Sequence, residues 1–149
     1  MKEAAPNVAR SLMVVSRAHT AAVTARLSQL GYDNFPFAAA SVLWLMDEGG
    51  TRSTMLAQRA GVTKQAMSQS VRLMERQGYL EQVQDPADTR AKIVRMTKRG
   101  EAVKTACVEV REELNRKVAN VLGPKEAALL EANLDAAAAI FGKVAGMTP

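Results

Sequence analysis

The stretch Ser53-Thr54-Met55-Leu56-Ala57-Gln58-Arg59-Ala60-Gly61-Val62-Thr63-Lys64-Gln65-Ala66-Met67 decides the fold of this 149-residue chain. It reads as two helices meeting at a glycine. Ser53 is placed to cap the first, Ser53 to Ala60. Thr63 is placed to cap the second, Lys64 to Gln77, which Gly78 closes. The Gly61-Val62 turn lets the two helices cross at a steep angle. Met67, Val71 and Met74 recur at steps of four and three and form an apolar stripe. Lys64, Gln65, Ser68, Gln69 and Arg72 fall on the opposite, polar face.

Two strands follow. Tyr79-Leu80-Glu81-Gln82-Val83-Gln84 alternates in part, Asp85-Pro86-Ala87-Asp88 is a turn, and Ala91 to Met96 is a second strand. Together they predict a hairpin with a charged tip. Helix, glycine turn, helix and hairpin in this order make a winged helix-turn-helix. In such a unit the second helix presents its N-terminal side chains to a DNA major groove. Its positive dipole end favours phosphate. Gln65 and Gln69 suit adenine edges, and Lys64 and Arg72 suit guanine or phosphate.

Outward from this centre the chain is helical. Val8 to Leu30 predicts a long helix with Leu12, Val15, Ala18, Ala22, Ala25 and Leu30 along one side, stopped by Gly31. Tyr32 to Pro36 is a break. Phe37 to Asp47 predicts a second helix, capped by Asn34, buried on most sides and ended by Gly49-Gly50. Thr97 starts a long helix to about Leu122, with Val103, Cys107, Val110, Leu114 and Val121 on one side. Gly123-Pro124 breaks it, and Pro124 suits the first turn of a last helix. That helix carries Ala127, Leu130, Leu134, Ala138 and Phe141. Its alanine-rich run, Ala136 to Ala139, predicts close helix packing.

Composition narrows the function. Charged residues make up 23% and hydrophobic ones 48%, a globular balance. The net charge is +5. Residues 51–100 hold ten Lys or Arg and four Asp or Glu, a net +6, and the remainder nets −1. The excess therefore lies in the segment that holds the helix-turn-helix and hairpin, as a polyanion-binding lobe requires. One cysteine and one histidine leave no disulfide framework, no multi-histidine metal centre and no nucleophile–base set. No glycine-rich phosphate loop or metal motif appears, so no cofactor, no metal and no enzymatic activity are expected. Met1 to Arg10 lacks the apolar core of a signal peptide. The longest mostly apolar run, Ala38 to Met46, is too short to span a bilayer, so the cytoplasm is the expected compartment.

Leu56 to Gln65 resembles the helix-turn-helix of the MarR family of transcriptional regulators. Met74-Glu75-Arg76-Gln77-Gly78-Tyr79-Leu80 resembles the family's exit from the recognition helix. Asp85-Pro86-Ala87-Asp88-Thr89-Arg90-Ala91-Lys92 and Met96-Thr97-Lys98-Arg99-Gly100 resemble its wing signature. Phe35-Pro36 departs from the usual Thr-Pro helix start, and Ser70 and Leu73 invert the usual apolar and polar positions. The resemblance implies a mainly α fold with a hairpin wing. Residues 35–97 would form the DNA-binding lobe, and residues 1–34 and 98–149 a helical dimerisation region. It implies a homodimeric repressor on a pseudo-palindromic operator of double-stranded DNA, with Arg90 reaching the minor groove and Asp88 holding the wing by charge-assisted hydrogen bonds. The DNA-facing set is then Ser53, Thr63, Lys64, Gln65, Ser68, Gln69, Arg72, Asp88, Arg90 and Lys92. It also implies release by a small effector, often an aromatic acid, for which Met13, His19, Phe35, Phe37 and Trp44 are the pocket residues; the other reading is plain core for Met13, Phe35, Phe37 and Trp44, and a satisfied structural residue for His19. Cys107, on an apolar stripe, reads as a packed thiol rather than an oxidant sensor. The same fold would also serve a non-specific or architectural DNA-binding protein.

Overall fold

The computed structural model of the protein describes residues 7–145. Helix α1 spans Val8–Gln29, α2 Val42–Leu45, α3 Ser53–Ala60, α4 Lys64–Arg76, α5 Lys98–Leu122 and α6 Pro124–Val144. Strands β1 (Leu80–Asp85) and β2 (Asp88–Met96) form an antiparallel hairpin between α4 and α5. The fold is thus mainly helical with a small wing, as expected. The chain divides into two compact units after Val110, within α5. The ends of the expected dimerisation region, residues 1–6 and 146–149, lie outside the described residues.

The first unit holds the core. Leu56 and Ala57 of α3, and Met67, Val71 and Met74 of α4, are buried, so the predicted stripe is the inner face. Gly61 takes a left-handed φ of 63° at the end of α3, and the Val62 N–H then bonds the Ala57 carbonyl at 3.1 Å. That closes α3 in the space of one residue, and glycine carries the left-handed backbone without a Cβ penalty. Thr63 caps α4 as expected, its hydroxyl accepting the Ala66 N–H at 3.1 Å. Ser53 does not cap α3. The Arg52 carbonyl accepts the Met55 N–H at 2.9 Å and the Leu56 N–H at 3.1 Å, so Ser53 is already the first helical residue.

The segment 37–47 is not one helix. A 3-10 turn, Phe37–Ala39, precedes the short α2. Asn34 has a left-handed φ of 56° and caps neither; Pro36 stands at the cap position of the 3-10 turn with no side-chain bond. Beyond α2 the groups that would extend the helix are taken. Met46 is extended, the Leu45 carbonyl accepts from Arg59 at 2.6 Å, and the Asp47 N–H bonds Thr51 Oγ1 at 2.8 Å. Thr51 then pairs with Val94 in both directions, at 2.8 and 2.9 Å, as a one-residue third strand beside β2. Within α2, Val42 and Leu43 are buried and Trp44 is exposed.

Thr97 and Gly100 join the wing to α5. The Thr97 hydroxyl donates to the Gly78 carbonyl at 2.6 Å and accepts the Gly100 N–H at 3.1 Å. A Cβ on Gly100 would stand 2.0 Å from the Tyr79 carbonyl oxygen. Only glycine lets the first turn of α5 lie this close to the exit of α4. Tyr79 is fully buried, with Phe35 edge-on at 5.3 Å and the Arg99 guanidinium 5.1 Å from its ring. Val103, Ala106, Cys107 and Val110 complete this core. On α1 the buried residues are Val23 and Leu27 rather than the predicted stripe, of which Leu12 and Ala22 are half-buried and the rest exposed.

The second unit, from Arg111, is different. None of its described residues is buried. Val121 of α5 and Leu129, Leu130, Leu134, Ile140 and Phe141 of α6 are exposed, so of the apolar stripe predicted for α6 only Ala127 is even half-buried among the described residues.

Candidate nucleic-acid interface

Helix α4 separates its residues sharply. Lys64, Gln65, Gln69 and Arg72 are exposed, Ser68 is half-buried, and the apolar stripe faces inward. Residues 64 and 65, 68 and 69, and 72 follow one another at single helical turns, so they share one face. The departures Ser70 and Leu73 are both half-buried, at the edge of that face. The free N–H groups and positive dipole of the first turn lie under Lys64 and Gln65.

The wing carries Arg90 and Lys92, both exposed. Its turn is built on two carboxylates. Asp85 Oδ1 accepts the Ala87 N–H at 2.9 Å, and Asp88 Oδ1 accepts the Arg90 N–H at 3.0 Å. Asp88 thus holds the wing backbone, as the resemblance implied. Arg52 was missed in the sequence. Its Nε donates to Asp85 Oδ2 at 2.8 Å, and its Nη2 lies 2.7 Å from the same oxygen and 3.4 Å from Asp88 Oδ2. The Ala87 N–H, then the Arg52 guanidinium, hold the Asp85 carboxyl below the usual carboxylate range. Nothing local to Arg52 marks this role, because its partners lie more than thirty positions away.

Six of the segment's ten basic residues face solvent with no ion pair among the described residues. Arg52 is paired as above, Arg59 forms a two-point pair with Asp47 at 2.9 and 2.8 Å, Arg95 pairs with Glu81 at 2.7 Å, and Arg99 lies against Tyr32 and Tyr79. The Arg59 hydrogen bonds hold Asp47 below the usual carboxylate range. Lys64, Arg72, Arg76, Arg90, Lys92 and Lys98 have no ion pair among the described residues. They lie on α4, the wing and the start of α5. The acids of the segment are engaged: Glu81, Asp85 and Asp88 in ion pairs, and Glu75 by Gln82 Nε2 at 3.1 Å.

The five expected pocket residues differ in burial. Phe35 is buried against Tyr79, Phe37 is half-buried, and Met13, His19 and Trp44 are exposed. For Met13 and Trp44 this also corrects the reading as plain core. An open cavity of about 410 Å³ lies between the 47–52 loop, α3 and the wing turn, and none of the five lines it. Cys107 is buried, and burial pushes its thiol up to about 11, as for a packed thiol. Among the described residues no three His, Cys, Asp or Glu side chains gather as a metal site, and no helix is long and apolar enough to cross a membrane.

The sequence model of the MarR family matches residues 33–91. No curated protein matches. Among solved structures, wild-type apo MarR from E. coli is 22% identical, with a TM-score of 0.63 over 91% of this chain and 98% of that one. The transcriptional regulator SlyA is 15% identical, with a TM-score of 0.67 over 93% and 96%. A mutant of S. aureus MepR, solved bound to an oligodeoxyribonucleotide, is 20% identical, with a TM-score of 0.59 over 91% and 99%. At these identities the structural likeness speaks for the fold, and the family model adds the sequence pattern of the helix-turn-helix and wing. The chain thus has a winged helix-turn-helix fold like that of these proteins, and its residues 33–91 match the sequence model of the MarR family.

Proposed function

We propose that this protein is a homodimeric transcriptional repressor that binds a pseudo-palindromic operator. The observation that carries the reading is the distribution of charge. Within residues 51–100 the described cations without an ion pair lie on α4, the wing and the start of α5, while the acids between them are engaged. In this reading α4 enters the major groove. Gln65 and Gln69 read base edges, and Lys64 and Arg72 take guanine or phosphate. Ser53, Thr63 and Ser68 supply hydroxyls, Asp88 holds the wing turn, and Arg90 and Lys92 bind at the neighbouring minor groove. The bare apolar side chains of α6 support a second copy as their cover. A dimer would place two copies of α4 one helical turn apart, roughly 34 Å. A small effector that favours a different spacing would release the DNA by population shift. The protein then acts without catalysis, in the cytoplasm.

Selection from a pool of random duplex DNA tests this. The expected product is an inverted repeat with half-sites about one turn apart. Recovery without a consensus would favour a non-specific or architectural binder. Repeating the selection with candidate aromatic acids tests the effector, whose presence should lower retention of the repeat.

A further inference from the structure

The tip of the wing has little backbone pairing of its own. The register steps from Gln84 opposite Lys92 to Asp85 opposite Asp88, so Thr89, Arg90 and Ala91 bulge out of it. Side chains hold this segment instead. Gln84 Nε2 donates to the Thr89 carbonyl. Asp85 and Asp88 each spend one oxygen on a turn amide, those of Ala87 and Arg90, and turn the other toward Arg52. Two carboxylates facing each other across a two-residue turn repel, and the Arg52 guanidinium between them removes that repulsion. Arg52 is also the cap position of α3, so its backbone is fixed by the helix-turn-helix while its side chain is fixed by the wing.

We propose that Arg52 is a positioning residue for DNA binding, a latch that ties the wing to the start of α3 and so sets where Arg90 meets the duplex. The inference rests on the DNA-binding reading above and deepens it. It makes a prediction opposite in sign to plain electrostatics. Replacing Asp85 by a neutral residue removes a negative charge beside the phosphates and frees Arg52 to reach them. On charge alone binding would tighten. A latch predicts that it weakens, because the wing loses its anchor.

Asp85→Asn is the sharpest variant, since an amide still offers an oxygen to the Ala87 N–H but presents no charge to Arg52. The probe is a duplex recovered by the wild-type protein from the random pool, with affinity read by fluorescence anisotropy at fixed salt. Asp85→Asn and Arg52→Gln should each weaken binding roughly three- to tenfold, and the double variant no further, as for two residues that share one interaction. In an Arg90→Ala background the same substitutions should have no further effect, because the latch acts through Arg90. Amide exchange should quicken at Ala87 and Arg90 and stay unchanged at Met74 and Leu80. Arg52→Gln, at a partly exposed side chain, carries the test alone if Asp85→Asn does not fold. Unchanged or tighter binding by Asp85→Asn overturns the latch, as does a loss that persists in full in the Arg90→Ala background. If the wild type recovers no duplex at all, the DNA-binding reading itself falls, and the latch with it.

Discussion

Gly100 shows how one atom fixes a junction. With the Tyr79 carbonyl oxygen 2.0 Å from where a Cβ would stand, Gly100→Ala must push α5 away from the exit of α4. It should cost about 1–3 kcal/mol, read as a lower urea midpoint, in the range of overpacked sites. The Thr97-x-x-Gly100 spacing is visible in the sequence, but its reason is not, because the partner is a backbone atom of a distant turn. Arg52 was hidden in the same way. In the sequence it adds one charge to a basic segment, and only the fold brings Asp85 and Asp88 to it. Asp85 also makes a pH prediction. Its carboxyl is held below the ordinary range, first by the Ala87 N–H and then by Arg52. A carboxylate with a lowered folded pKa stabilises fully above its unfolded value, near about 3.9, and loses that contribution as pH falls through the folded value. Between neutral pH and pH 2 the urea midpoint of the wild type should therefore fall further than that of Asp85→Asn. Equal falls would show that Asp85 is not held in this way.

Helices α3 and α4 were readable because everything that defines them is local. A glycine turn, a threonine cap and an apolar stripe lie within a few residues of each other, and burial of Met67, Val71 and Met74 follows the stripe. Segment 37–47 misled for the opposite reason. Its apolar content predicts a single helix, yet Arg59 and Thr51 take the backbone groups that would continue it past α2. Burial of α1 misled similarly, since Val23 and Leu27 are chosen by what packs on them, not by the evenest apolar spacing. For α4 the proposed division between base-reading and phosphate-binding side chains gives separate outcomes. Gln69→Ala should change the sequence recovered in a selection while leaving the salt dependence nearly as it was. Lys64→Ala should weaken binding evenly across sequences and lower the salt slope by about 1 per subunit. The reverse pattern would mean that Gln69 touches phosphate and Lys64 reads a base.

The opening charge of +5 conceals a division of labour. The lobe of residues 51–100 carries the excess, and much of what remains in α6 is apolar and exposed. Val121 is 84% exposed, so Val121→Glu costs little in a single chain. If a second copy covers that region, the substitution buries an unpaired charge and should shift the protein toward monomer in sedimentation equilibrium. No shift would place the dimer contact elsewhere. In the proposed dimer the lobe is doubled and DNA binding should be steeply salt-dependent, since each phosphate neutralised releases counterions. The central claim is that α4 reads the major groove and the wing the minor groove, twice, in one dimer. Methylation interference on the selected duplex tests it most directly, because dimethyl sulfate marks guanine N7 in the major groove and adenine N3 in the minor groove. The account predicts N7 interference in two clusters about one helical turn apart, related by two-fold symmetry, with N3 interference beside each. The N3 signal should be lost with Arg90→Ala. Interference at a single cluster, or N3 interference that survives Arg90→Ala, would contradict it.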